Sequence, residues 1–225
     1  MKKIIKHILL IVITGCFVFM LSCEDKFLDK QPPGTAAGEV MESDRGVEGI
    51  LTGAYTTLIQ GNIFGGGVTM WEWGSISSDN AGFGAQNAFH EIESYEMYPD
   101  NPYPKRMWNE SYDGIVRAND VLRFLQESNT PEPRATQIEA EAKFIRAWHH
   151  FKLQLVFWQI PYIKTQEEMG GEDPASIPND SKVWDDIEED LEFAINNLPD
   201  DPPLGHVGRA DKFAAMAIKA RVHMF

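Results

Sequence analysis

Two cysteines, Cys16 and Cys23, are all that this chain of 225 residues contains, and both lie near its start, so no disulfide framework can brace the remainder. Basic residues are also scarce. Twenty Lys and Arg stand against 34 Asp and Glu, a formal charge of -14, which excludes the electropositive surface that nucleic-acid binding needs. Surfaces this acidic ordinarily serve solubility. Alternating apolar and polar runs are weak throughout, which argues against a sheet, and the Gly-x-Ser-x-Gly signature of serine hydrolases is absent. The adjacent pair His149-His150 has no evident third ligand, and neighbouring helical residues point apart, so it reads as packing rather than as a metal centre. No metal or cofactor is expected. What the chain does have is apolar mass: 43% hydrophobic residues and six tryptophans, enough to bury a core and too much for a disordered tail.

The first residues read as an address. Lys2, Lys3 and Lys6 precede an apolar stretch over residues 8–20 that is too short for a comfortable membrane span, and Leu21-Ser22-Cys23 follows. This resembles a bacterial lipoprotein signal with its lipobox, so residues 1–22 are expected to be removed and Cys23 to be lipidated. Ile13-Thr14-Gly15-Cys16 matches a lipobox too, but cleavage there would leave the apolar run Phe17-Val18-Phe19-Met20-Leu21 at the new N-terminus. Cys23 is followed instead by Glu24-Asp25-Lys26, a polar start suited to leaving a membrane surface. A signal anchor with a chance cysteine is the remaining alternative. Stable attachment takes more than one acyl chain. Loss of residues 1–22 removes three lysines and moves the formal charge from -14 to -17 over 203 residues.

Beyond the cysteine the chain divides into a tether over residues 23–40, rich in Pro32, Pro33, Gly34 and Gly38, and a helical domain over residues 41–225. Val47, Ile50, Leu51, Ala54, Tyr55 and Leu58 recur at three- and four-residue steps behind Ser43 and Asp44, predicting a first helix that stops at Gly61. Trp108, Tyr112, Ile115, Asn119 and Leu122 predict a second. A third, from about Thr136, carries the stripe Phe144, Trp148, Phe151, Leu155 and Trp158 and must end before Pro161. A fourth follows Asp180 or Ser181, with Trp184, Ile187, Leu191, Ala194 and Leu198 in step until Pro199. A fifth starts at Asp211, where Ala214, Ala215, Ala217 and Ala220 would allow close approach to a neighbour. The offsets Trp108 to Trp184 and Phe144 to Ile218 are nearly equal, which makes the second pair of helices a repeat of the first. Tetratricopeptide repeats recur at about 34 residues; the period here is about double. The fold expected is all-α, TPR-like antiparallel helix pairs with a long Gly- and aromatic-rich insertion loop over residues 61–105. No capping residue closes the fifth helix, so it is expected to run off the chain, as the N-terminal part of a longer protein would.

Several stretches in this order resemble the SusD/RagB family of outer-membrane nutrient-binding lipoproteins. They are Cys23 with Phe27-Leu28-Asp29 and Pro32; Trp108 with Tyr112-Asp113-Gly114-Ile115-Val116-Arg117-Ala118-Asn119; Glu141-Ala142-Lys143-Phe144-Ile145-Arg146-Ala147; Phe157 with Pro161; Trp184 with Ile187, Asp190-Leu191 and Ala194; and Gly208-Arg209-Ala210-Asp211-Lys212 with Ala214-Ala215. Where the family often has glycine after the aromatic, this chain has Trp158-Gln159-Ile160. The resemblance implies a helical, non-enzymatic protein, lipid-anchored in the outer membrane and facing outward. It also implies a partner, a TonB-dependent (SusC-like) transporter, and a ligand, an oligosaccharide or a peptide. A helical-repeat scaffold without a small-molecule ligand is the rival reading. Acidic pairs such as Asp185-Asp186 and Glu188-Glu189 fall on the solvent side of the fourth helix, where charges are ordinarily just solvated rather than catalytic.

Arg117, Asn119, Glu141 and Arg146 lie beside apolar stripes and are expected to pair internally. The insertion is different. Sugars have apolar C–H faces and polar rims, so their sites combine aromatic plates with short hydrogen-bonding side chains. Ser77-Ser78-Asp79-Asn80, followed by Phe83 and Phe89, offers both, and the resemblance adds that the loop after a similar Ser-Asp step contributes to the glycan site. Asp79, Asn80, Phe83 and Phe89 are the expected ligand contacts; the competing reading makes Trp71 and Trp73 core and the other rings loop filler.

Overall fold

The structure, a computed structural model, describes residues 42–59, 71–78, 80–82, 88–165 and 183–225. The expected signal, Cys23 and the tether lie outside the described residues, as do Asp79 and Phe83. Helix α1, Asp44–Thr56, starts at Ser43, whose hydroxyl accepts the Gly46 N–H at 3.1 Å, and it buries Val47, Leu51 and Ala54. It ends earlier than the expected Gly61, because the Thr57 hydroxyl turns back to the Ala54 carbonyl at 2.6 Å.

The insertion is not a plain loop. It holds a π-helical turn, Trp71–Ile76, a short helix α2, Ala88–Glu93, and the opening of α3, Pro102–Glu127, which begins well before Trp108. Asn101 accounts for that early start. Its Oδ1 accepts the Tyr103 N–H at 3.1 Å while Pro102 supplies the preset φ of a first helical residue. Helix α4, Arg134–Phe157, follows Pro131 and Pro133. Helix α5, Val183–Asn197, ends before Pro199, and α6, Lys212–Val222, is capped by Asp211, whose Oδ1 accepts the Ala214 N–H at 2.7 Å.

Helix pairing can be read from contacts. Trp108 meets Phe157, Gly114 meets His149 and Asn119 meets Arg146, so residue numbers rise on α3 as they fall on α4. Phe151–Trp184 and Lys143–Phe193 give the same sense for α4 and α5, as do Glu188–His223 and Glu192–Lys219 for α5 and α6. The chain is thus a TPR-like run of antiparallel helices, with α1 laid across α3 and α4.

Two expectations need correcting. Helix α4 has no single buried stripe: Phe151 is fully buried, Trp148 and Leu155 only partly, and Trp158 lies beyond the helix with 75% of its surface exposed. The reason is position, since α4 packs against α1, α3, α5 and α6 and has little solvent face to spare. On α6, Ala217 and Ala220 face solvent, and of its four alanines only Ala215 is fully buried.

So central a helix must bury charge, and it does so in pairs. Arg146 makes a two-pronged ion pair with Asp190, Nε to Oδ2 at 2.7 Å and Nη2 to Oδ1 at 2.8 Å, and its Nη1 donates to Asn119 Oδ1 at 2.9 Å and to the Lys164 carbonyl at 2.8 Å. Glu141, fully buried, is held by Arg134 at 2.8 Å and Arg209 at 3.2 Å, and both arginines also reach Glu48. The Tyr55 hydroxyl donates to Glu141 at 2.8 Å and accepts the Ala210 N–H at 2.9 Å, tying α1, α4 and the approach to α6 together. Asn119, Glu141 and Arg146 therefore pair internally as expected, while Arg117 makes a half-exposed pair with Asp113 at 3.0 Å.

Candidate functional site

Hydroxyl side chains shape the insertion. Ser77 donates back to the Trp73 carbonyl at 2.6 Å, Ser78 to that of Ser75 at 3.0 Å, and Ser94 to that of His90 at 2.8 Å, so the π-turn and α2 each close on themselves. Asn101 fastens α2 to α3, its amide donating to the Ala88 carbonyl and to Glu91 Oε2, both at 2.9 Å. Glu91 Oε2 also accepts the Tyr98 N–H at 3.3 Å. The Tyr95 hydroxyl donates to the Ser77 carbonyl and bridges the two halves of the insertion.

Between these pieces and the end of α4 lies a groove of about 400 Å³, lined chiefly by Trp73, Tyr95, Met97, Ile92 and the Leu155–Phe157 end of α4, with Ser77 and Glu91 as polar points. Beyond Tyr95 opens a second, more polar recess of about 700 Å³, lined by Ser77, Ser78, Ala81, Gly82, Glu93 and Tyr95. Tyr95 is the shared wall. One side of it is apolar and the other polar, which matches the two-sided chemistry of a sugar ring. The Trp73 indole Nε1 is buried and has no hydrogen-bond partner among the described residues. A buried donor in that state calls for an acceptor. Among the described residues no lysine or arginine lines either space.

Of the expected contacts, Asn80 is exposed beside the polar recess, its N–H donating to Ser78 Oγ at 3.3 Å. Phe89 sits on α2 rather than in a loop and is half-buried, stacked on Tyr103 with ring centroids 4.2 Å apart. Its ring packs on α3 and lines neither recess. Asp79 and Phe83 lie outside the described residues. Sequence reasoning underrated Trp73 and Tyr95; only the fold brings both to one groove. Among the described residues no group of three His, Cys, Asp or Glu could hold a metal, and no helix is long and apolar enough to cross a membrane.

The histidine pair is structural. His150 Nδ1 faces the Arg146 carbonyl at 3.0 Å and its Nε2 accepts the Ile163 N–H at 3.2 Å; a carbonyl only accepts and a backbone N–H only donates, so the ring is the neutral Nδ1–H form. Burial lowers its pKa to about 3. Tyr162 stacks on it at 3.9 Å.

Comparison with known proteins agrees with this architecture. The relative named SusD-like protein P2 of Formosa agariphila is 26% identical over 186 residues, which are 80% of this chain and 36% of the relative. A laminarin-binding SusD-like protein has a matching structure, with a TM-score of 0.65 and 26% identity over 81% of this chain and 40% of that one. Surface glycan-binding protein A from Bacteroides thetaiotaomicron, solved in complex with laminarihexaose, aligns with a TM-score of 0.68 and 19% identity over 81% of this chain and 39% of that one. The chain spans between 36% and 43% of the length of the curated relatives it matches. The family model described as "SusD-like_3: Starch-binding associating with outer membrane" matches residues 26–224, nearly the whole chain, and the chain belongs to that SusD-like family.

Proposed function

We propose that this protein is a cell-surface oligosaccharide-binding lipoprotein, anchored through Cys23 after loss of residues 1–22, which captures a glycan and passes it to a TonB-dependent transporter. SusD-like proteins bind rather than catalyse, and the chain is not an enzyme. The observation that carries the binding reading is the groove at Trp73. It combines an apolar floor that includes Trp73, a carboxylate at Glu91 and the two-sided Tyr95 wall. An oligosaccharide suits each: ring C–H faces lie on the apolar side and a hydroxyl donates to Glu91. Asp79, Asn80, Phe83 and Phe89 belong to this reading as the insertion's ligand contacts, Asp79 and Phe83 lying outside the described residues. The relatives named for laminarin and laminarihexaose support the ligand class.

Calorimetric titration of the complete chain with laminarihexaose and maltohexaose tests it. Binding is expected, and Trp73→Ala should weaken it about fivefold or more, the worth of one aromatic face, with thermal melts confirming that the variant folds. No binding of either sugar, or binding that a folded Trp73→Ala leaves untouched, would remove the groove as the site and favour a scaffold role.

A further inference from the structure

Among the described residues, Ser77 and Tyr95 alone line both the groove and the polar recess. They are also bonded to each other, the Tyr95 hydroxyl donating to the Ser77 carbonyl. The boundary between the two spaces is therefore one side chain fastened at its tip. Little packs against the rest of it, since Tyr95 is 78% exposed.

The backbone under that side chain favours a different residue. Helix α2 ends at Glu93 in a Schellman motif: the Glu96 N–H donates to the Glu91 carbonyl at 3.0 Å, and the Tyr95 N–H to that of Ile92 at 3.4 Å. Tyr95 thus occupies the left-handed position just past the cap, with φ at 58°, where glycine is the usual occupant because it has no β-carbon to clash. Of the three non-glycine residues with positive φ among the described residues, Tyr95 alone lines either space. Neither the cap nor burial accounts for a tyrosine here, and strain retained at the wall of a recess marks a side chain kept for what it meets.

We propose that Tyr95 is the specificity-determining residue of this site, a crossbar over which the ligand lies with one segment in the apolar groove and the next in the polar recess. The proposal rests on the glycan reading of the groove and adds that both spaces are filled at once, by a chain long enough to reach from one to the other. Different chemistry holds the two segments. The groove side presents Trp73, Ile92 and Met97 to a ring face; the recess side presents Ser78 and Glu93, the latter 3.7 Å from His90. Because the hydrogen of the Tyr95 hydroxyl is committed to Ser77, the faces of the ring are what the ligand meets.

Calorimetric titration of the complete chain and of its Tyr95→Gly and Tyr95→Phe variants, with thermal melts alongside, tests it. The probes are two pairs, laminaribiose with laminarihexaose and maltose with maltohexaose. For the linkage that binds, the unaltered chain should hold the hexasaccharide about tenfold or more tighter than the disaccharide, because the two spaces then act on one molecule. Tyr95→Gly should lose about three- to tenfold of the hexasaccharide affinity and less of the disaccharide affinity, so that the preference narrows. Its Tm should hold, because glycine suits the left-handed position. Tyr95→Phe keeps the ring and should keep most of the affinity. A preference that Tyr95→Gly leaves unchanged, while Trp73→Ala weakens binding, overturns the crossbar and leaves the glycan reading standing. Tyr95→Phe as damaging as Tyr95→Gly also overturns it, since the bridge to Ser77 would then be the whole contribution. A hexasaccharide held no tighter than its disaccharide overturns the joint use of the two spaces. Failure of the unaltered chain to bind any of these sugars overturns the glycan reading and this proposal with it.

Discussion

Gly114 of α3 and His149 of α4 touch so closely that a β-carbon on Gly114 would stand 2.2 Å from His149 Nε2. The ring cannot step aside: it is fully buried, and Nε2 lies 2.8 Å from the Thr57 hydroxyl. Because that hydroxyl's hydrogen goes to the Ala54 carbonyl, the geometry makes Nε2–H the donor to Thr57. This one contact sets how near α3 and α4 approach.

Gly114→Ala is therefore expected to destabilise, although the same change in an exposed helix would gain about 1 kcal/mol of propensity. Overpacking of this kind costs about 1–3 kcal/mol or more. Urea denaturation decides it: a midpoint at or above that of the unaltered chain would show that the helices can part at no cost.

Asp190→Ala leaves Arg146 buried with neutral partners only, Asn119 and the Lys164 carbonyl. Removing one member of a buried pair costs about 3–5 kcal/mol. The replacement should lower the denaturation midpoint sharply, whereas Asp113→Ala, which breaks the half-exposed pair with Arg117, should cost about 1 kcal/mol or less. Equal effects would mean that depth of burial does not set the value of these pairs.

Stability should rise with pH through neutrality. Burial lowers the pKa of His149 and of His150, the latter to about 3, so below about pH 6.5 the unfolded chain takes up protons that the native rings refuse. Each ring then contributes a loss of up to about 1.4 kcal/mol per pH unit as pH falls from about 6.5 toward its folded value. Burial likewise lowers Lys152 to about 7 against the attraction of Glu110, so stability continues to climb from about pH 7 toward the ordinary lysine value of 10.5. Tyr55 and Tyr112 set the ceiling: burial raises both hydroxyls above 10.0, so their contribution is present below that pH and is lost above it. Denaturation midpoints measured from pH 4 to 11 should peak between about pH 8 and 10; a peak at pH 6 would contradict neutral, buried histidines.

Mass spectrometry of the native N-terminal peptide addresses the anchor. Acylated Cys23 as first residue is expected, given the polar Glu24-Asp25-Lys26 behind it. An unmodified Cys23, or acyl chains on Cys16, would refute this.

Where helices begin and end was legible from local chemistry. Ser43 and Asp211 cap the helices that their positions announce, and Pro161 and Pro199 lie beyond the two ends that they bound. Antiparallel pairing followed from the repeated offset. Helix α3 was misjudged at its start because its cap, Asn101, is recognised by contacts to α2 rather than by the apolar period. The candidate site was half legible: the insertion stood out by its rings and glycines, but Tyr95 as a wall between two recesses did not. Caps and periodicity act within a turn or two of the chain, so the residues themselves carry them. The partner of Arg146 lies 44 residues away, and the neighbour of Gly114 lies on another helix. Those features exist only once several elements have packed against one another, and that is why the tertiary structure alone decided them.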